Sequence, residues 1–139
     1  MDKSGVAYTD GSSKGNPGES GIGVLILDPK HNVLKEVSRY IGIATNNVAE
    51  YEAVILALTE ARSLGMRKIE IRTDSKLLSS QLKGEYKIKD PKLRTLAVRC
   101  MRLLRTFGSS KITLVPRKDN SRADRLAQAA IDSRREQAG

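Results

Sequence analysis

The pattern of apolar and polar positions divides the chain into three strand-like runs, followed by a change of period. Val6–Asp10 (VAYTD) reads as a first strand, and the GSSKGNPGESG that follows reads by composition as a loop. Gly21–Leu27 (GIGVLIL) is an apolar run closed by Asp28-Pro29 and a polar turn through His31-Asn32. Val33–Ile43 alternates apolar and polar residues, the pattern of a half-solvated strand. Short links between the three favour an antiparallel meander. From Asn46 onward the spacing becomes helical. Residues 47–64 predict a long helix with Gly65 as its C-terminal stop. Lys68–Thr73 (KIEIRT) reads as a strand, and a strand–helix–strand unit of this size suits parallel pairing. Ser75–Leu82 predicts a short helix stopped by Gly84, after which GEYKIKDP leads into a helix over Pro91–Phe107. Lys111–Val115 is a fifth strand, and Ser121–Glu136 a last helix ahead of a loose tail. The order βββαβααβα implies an α/β fold: a five-stranded mixed sheet, three antiparallel strands then parallel ones, flanked by helices.

No repeat, low-complexity tract or long linker divides the 139 residues, so a single domain over residues 1–139 is expected. That length buries a core without disulfide or metal staples. Charge changes the picture more. Lys and Arg number 25 against 16 Asp and Glu, a formal charge of +9. Such a balance suits a polyanionic partner, nucleic acid being the commonest, although solubility alone also accounts for it. The chain has one Cys (Cys100) and one His (His31), which excludes a disulfide framework and starves any His/Cys zinc site of ligands. A Ser-His-Asp triad would depend on that one His. No apolar run approaches the roughly 20 residues of a bilayer span, and MDKSGVAYTDG lacks the pattern of a signal peptide. The expected setting is reducing and cytoplasmic, with chemistry run by carboxylates.

Four carboxylates stand out. At about 100° per residue, the helix after Asn46 places Glu52, Thr59, Glu60, Arg62 and Ser63 on one side, the expected solvated one. Glu50 falls on the other side, in line with Ala53, Val54, Ala57, Ala61 and Leu64. A carboxylate on a buried stripe is costly unless something compensates it. Either Glu50 serves a capping box begun by Asn47, or it serves a metal or catalytic role. Asp10 and Asp74 each sit where an apolar strand ends, the sheet edge at which open sheets bind ligands. Each has an ordinary alternative: an Asp10-Gly11 turn, and an N-cap by Asp74. Asp124 lies in the first turn of the last helix, where the helix dipole alone favours an acid.

Convergence separates these readings. If the strands bearing Asp10 and Asp74 are parallel neighbours, both acids emerge at one end of the sheet. A helix beginning near that end adds its own first turn. Four oxygen donors around one spot require cations, and Mg²⁺ or Mn²⁺ prefers hard oxygen ligands. Two such ions about 3.5–4 Å apart activate water and stabilise a leaving oxygen in phosphodiester hydrolysis.

These residues resemble the ribonuclease H type 1 family. YTDGSSKGNPG at 8–18, TNNVAEYEA at 45–53, TDSKLL at 73–78 and NSRADRLA at 120–127 are similar to its four motifs, in its order and across almost the whole chain. The resemblance implies a ribonuclease H-like fold and a two-metal endonuclease cutting the RNA strand of RNA/DNA hybrids, leaving 5′-phosphate and 3′-hydroxyl ends. It implies Asp10, Glu50, Asp74 and Asp124 as catalytic ligands of two Mg²⁺ or Mn²⁺ ions. Substrate contacts would fall on Gly11, Ser12, Asn16, Asn46 and Asn47, the asparagines touching sugar 2′-hydroxyls and bases, with Thr45 near a DNA phosphate. The 2′-hydroxyl is what separates RNA from DNA, and Asn both donates and accepts toward it. One of Asn46 and Asn47 is expected to cap the helix as well. The alternatives are a same-fold nuclease acting on double-stranded RNA or DNA, and a non-catalytic nucleic-acid-binding module.

The chain departs from the family in three respects. Many bacterial members carry a His in the loop before the last acid, but here that loop is LVPRKDN. Arg117 stands nearest, as in archaeal members; it cannot act as a base, but it can neutralise phosphate charge. His31 lies in a remote turn. The basic, Trp-rich protrusion of some members is missing, GEYKIKDPKL being too short for it. The outer face of the next helix, with Lys92, Arg99, Arg102 and Arg105, offers itself instead, although such stripes are often simply solvated. Lys76 stands where many relatives carry a Gln, which suggests more phosphate contact. No separate hybrid-binding domain precedes the first strand, so low processivity is expected, and nothing calls for a protein partner or an oligomer.

Overall fold

In the computed structural model, which describes residues 3–138, five strands form one mixed sheet. β1 (Ser4–Gly15), β2 (Gly18–Leu27) and β3 (Val33–Ala44) make the antiparallel meander, and β4 (Lys68–Thr73) and β5 (Ser109–Leu114) add parallel pairs in the order β3-β2-β1-β4-β5. The helices are α1 (Asn46–Ser63), α2 (Lys76–Leu82), α3 (Pro91–Leu104) and α4 (Ser121–Ala138), the last preceded by a 3₁₀ turn at Arg117–Asn120. The domain expected over 1–139 extends past the described residues at Met1, Asp2 and Gly139.

The glycine-rich segment expected as a loop is strand. β1 runs on through Gly15, and only Asn16-Pro17 separates it from β2. The glycines reflect helices pressing on the sheet rather than an irregular chain. A Cβ on Gly11 would lie 2.3 Å from the Ala49 carbonyl carbon of α1, and one on Gly23 would lie 2.1 Å from the Ala123 oxygen of α4. Strand alternation puts Ala7, Thr9 and Gly11 on the α1 face and Asp10, Ser12 and Lys14 on the α4 face. α1 and α4 therefore cover opposite faces of the sheet.

The clean solvated side expected for α1 is only partly present. Thr59, Arg62 and Ser63 are exposed, but Glu52 and Glu60 are half-buried, and Val48, Ala49, Tyr51, Ala53–Leu58 and Ala61 are buried around nearly the whole circumference. The cause is a second layer: α3 packs on α1 through Leu93, Leu96, Ala97 and Cys100. Each large apolar side chain buried in this way contributes about 1.5–3 kcal/mol. Glu60 answers Lys35 of β3 at 2.5 Å. α3 ends at Leu104, three residues before the expected stop, because the chain turns there to send Phe107 into the core. β5 starts two residues earlier than expected, Gly108 and Ser109 donating to the Arg67 carbonyl. The tail expected after Glu136 is helical through Ala138. Residues 83–90 join α2 to α3 without a helix of their own. Among the described residues no helix is long and apolar enough to cross a membrane.

Candidate active site

The last parallel pair of β1 and β4 is Tyr8↔Arg72, so Asp10 and Asp74 emerge side by side two residues later, on the same sheet face. Asp10 is 6% exposed although carboxylates are seldom buried. Glu50 reaches the same point from α1. Its Oε1 accepts the Gly11 N–H at 2.7 Å, across the contact that the missing Gly11 side chain permits. One oxygen each from Asp10, Glu50 and Asp74 lies within 4.8 Å of the others. Asp124, in the first turn of α4, comes up to the Asp10 carboxyl from the opposite face and lines the same cleft.

The capping and turn alternatives for Glu50, Asp74 and Asp10 are not what the structure uses, whereas the α4 dipole still favours Asp124 in its first turn. Thr45 caps α1, its hydroxyl accepting the Val48 N–H at 3.2 Å, while Asn16 Oδ1 accepts the Asn46 N–H at 3.0 Å. Neither Asn46 nor Asn47 is the cap, and Glu50 completes no capping box. Ser75 caps α2 by accepting the Leu78 N–H at 3.2 Å, which leaves Asp74 free. Asp10-Gly11 is continuous strand rather than a turn.

Crowding and burial make ionisation costly here. Burial, then the charge of Glu50, then the hydrogen bond with Asp124 and the charge of Asp74 push the Asp10 carboxyl up to about 9. Burial lifts Glu50 to about 8, the Gly11 N–H opposing and Asp74 adding to the rise. Asp74 is raised by burial against the pull of Arg117, whose Nε stands 3.9 Å from Asp74 Oδ2 on a side chain that is 94% exposed. One exposed guanidinium does not neutralise this group. A cluster of hard oxygen donors that hold protons for want of positive charge fits a divalent ion, which would displace those protons.

These acids line a cleft of about 460 Å³ together with Gly11, Ser12, Asn46 and Arg117. Asn16, Thr45 and Asn47 line a neighbouring groove with Asp90 and Lys92 at the start of α3. Lys76 is exposed at the start of α2 and lines neither. His31 is exposed in its turn. Three further residues escaped the sequence reading. Ser13 and Gln128 line the acid cleft; Gln128 stands one helical turn after Asp124, a spacing that could have revealed it. Asn120 is buried, its Nδ2 donating to the Thr9 carbonyl at 2.8 Å, and it stands close enough to Asp74 to favour that carboxyl's charged form. It ties the two acid-bearing strand ends together.

Known proteins resemble this chain over most of its length. A family model described as reverse transcriptase-like matches residues 8–130. Ribonuclease HI of Halobacterium salinarum is 45% identical over 91% of this chain, which spans 63% of that relative's length; the mycobacterial relatives, at 42% identity, are spanned over 35%. The crystal structure of RNase H1 from Halobacterium salinarum NRC-1 superposes with a TM-score of 0.92 at 44% identity, covering 94% of this chain and 98% of that one. LC11-RNase H1, crystallised in complex with an RNA/DNA hybrid, gives 0.88 at 42% identity, covering 93% and 97%. The chain belongs to the reverse transcriptase-like family, and within it to the ribonuclease H type 1 proteins of the short form that lacks the basic protrusion.

Proposed function

We propose that this protein is a metal-dependent endoribonuclease that hydrolyses the RNA strand of RNA/DNA hybrids, using two Mg²⁺ or Mn²⁺ ions and leaving 5′-phosphate and 3′-hydroxyl ends. One observation carries the reading: Asp10, Glu50 and Asp74, distant in the chain, bring oxygens within 4.8 Å of one another in an open cleft that Asp124 also lines. The likeness to LC11-RNase H1 supports the choice of substrate. Divalent ions bound there supply Lewis acidity, lowering the pKa of water and stabilising the departing 3′ oxygen.

The chain's own residues divide the remaining work. Asp10, Glu50, Asp74 and Asp124 hold the metal, with the Gly11 N–H orienting Glu50 and Asn120 orienting Asp74. Arg117, exposed at the rim, offsets phosphate charge without exchanging a proton. Asn16, Asn46 and Asn47 read sugar hydroxyls and bases along the cleft and its neighbouring groove. Gly11 and Ser12 contact the RNA strand. Thr45, its hydroxyl engaged in the cap, meets a DNA phosphate at the helix N-terminus. Lys76 and the exposed Lys92, Arg99, Arg102 and Arg105 hold and steer the duplex backbone. The protein works as one catalytic domain over residues 1–139, as a monomer, in the cytoplasm.

Incubating the protein with matched RNA/DNA, RNA/RNA and DNA/DNA duplexes, with Mg²⁺, Mn²⁺ or a chelator, tests this. The expected result is metal-dependent cutting of the hybrid's RNA strand alone. Equal cutting of the other duplexes points to a nuclease of the same fold with another substrate, and binding without cutting points to a non-catalytic module.

A further inference from the structure

Along the α4 face of the sheet, helix and strand keep step. Two residues of strand advance about 6.7 Å and four residues of helix about 6 Å, so residues four apart on α4 meet residues two apart on β1. Asp124 meets Asp10, Gln128 Nε2 donates to Ser12 Oγ at 2.6 Å, and Asp132 stands 4.0 Å from Lys14. The middle rung lies inside the acid cleft and carries no charge. Its bond to Ser12 uses one amide hydrogen. The second hydrogen and Oε1 of Gln128, with the Ser12 hydroxyl hydrogen, make no other side-chain hydrogen bond among the described residues, and both residues line the cleft.

We propose that Gln128, paired with Ser12, reads the 2′-hydroxyl of an RNA ribose next to the scissile phosphate, an inference that rests on the hybrid-cleaving function. A hydroxyl both donates and accepts, and the pair offers both. A phosphate wants donors only and would meet the Gln128 acceptor beside four carboxylates. A deoxyribose offers neither group. The rung is set one helical turn from Asp124, which places it beside the reacting centre rather than in it.

The test compares wild type and Gln128→Met on a hybrid whose RNA strand is all ribose and on hybrids with a single 2′-deoxy substitution at each position flanking the cut. Met matches Gln in length and helix propensity. In the wild type one position is expected to lower kcat/KM about threefold to tenfold, the worth of one hydrogen bond. In Gln128→Met the all-ribose substrate loses that factor and the deoxy substitution costs nothing further. Ser12→Ala, which breaks the pair from the strand side, is expected to give the same loss of coupling. Equal slowing of every substrate by Gln128→Met, or no change at all, overturns the inference and leaves the function standing. A wild-type protein that cuts no hybrid overturns both.

Discussion

Two helices deliver acids to one point from opposite faces of the sheet, by different means. α1 is locked between the sheet and α3, apolar almost all round, and its Glu50 is tied by the Gly11 N–H. α4 lies on the other face with its outer side in solvent, seated on Gly21 and Gly23, and its Asp124 is held by the meeting with Asp10. Both need glycine beneath them, yet only α4 has room to move. A buried helix fixes its acid by packing, whereas a surface helix fixes its acid by register along a strand.

The largest break in that comparison is chemical. Asp10→Asn and Glu50→Gln are each expected to cut hybrid cleavage by at least about 100-fold. The same changes are expected to raise the melting temperature of the metal-free protein near pH 8, because each removes the cost of holding a buried acid protonated where the unfolded chain would ionise it. Loss of activity together with a lower melting temperature would instead assign these acids to the scaffold.

Next come the seats. Gly11→Ala and Gly23→Ala each force a methyl against helix backbone, at 2.3 and 2.1 Å. Denaturant unfolding is expected to register about 1–3 kcal/mol for such overpacking. Gly11→Ala costs the more of the two despite its slightly longer contact, because α1 has α3 behind it while α4 can lift into water. The reverse order in the unfolding midpoints would mean that the second layer does not pin α1.

Acidity comes third. Asp10 and Glu50 hold protons in the fold up to about 9 and 8, against about 3.8 and 4.5 for the free side chains. Between these limits the folded state binds more protons than the unfolded one, so stability falls as pH rises. Thermal melts in chelator are expected to decline from about pH 4 to about pH 9. Saturating Mg²⁺ is expected to restore stability at the alkaline end, by about 2.7 kcal/mol at one hundred times its dissociation constant. A flat profile would show the acids already neutralised by protein groups. A smaller effect belongs to the rim: Arg117→Ala is expected to slow turnover about threefold to tenfold with metal affinity unchanged in calorimetry. Glu52→Gln, facing α3 rather than the cleft, is expected to leave turnover within about twofold of wild type, a neutral change on a face away from the substrate.

Much of this was legible before any coordinates. The β4 strand, the switch from strand to helix at Asn46, and Glu50 on the apolar side of its helix all follow from periodicities of two and 3.6 residues, which a sequence displays directly. So does the exposed basic face of α3. Glycine-rich GSSKGNPGESG misled, because composition records that side chains are missing but not what occupies the space. Only the packed sheet reveals the two helices there.

The order of elements, the four candidate acids and the basic surface belong to the sequence alone, since each depends on neighbours within a few residues. Tertiary structure decided the rest. It made Glu50 the partner of Gly11, 39 residues away, and Gln128 that of Ser12, 116 residues away. It gave the cap to Thr45 rather than to either asparagine, and it sealed α1 on both sides. Those outcomes depend on which face of which strand meets which helix, a relation between distant segments that exists only once the sheet has closed its register.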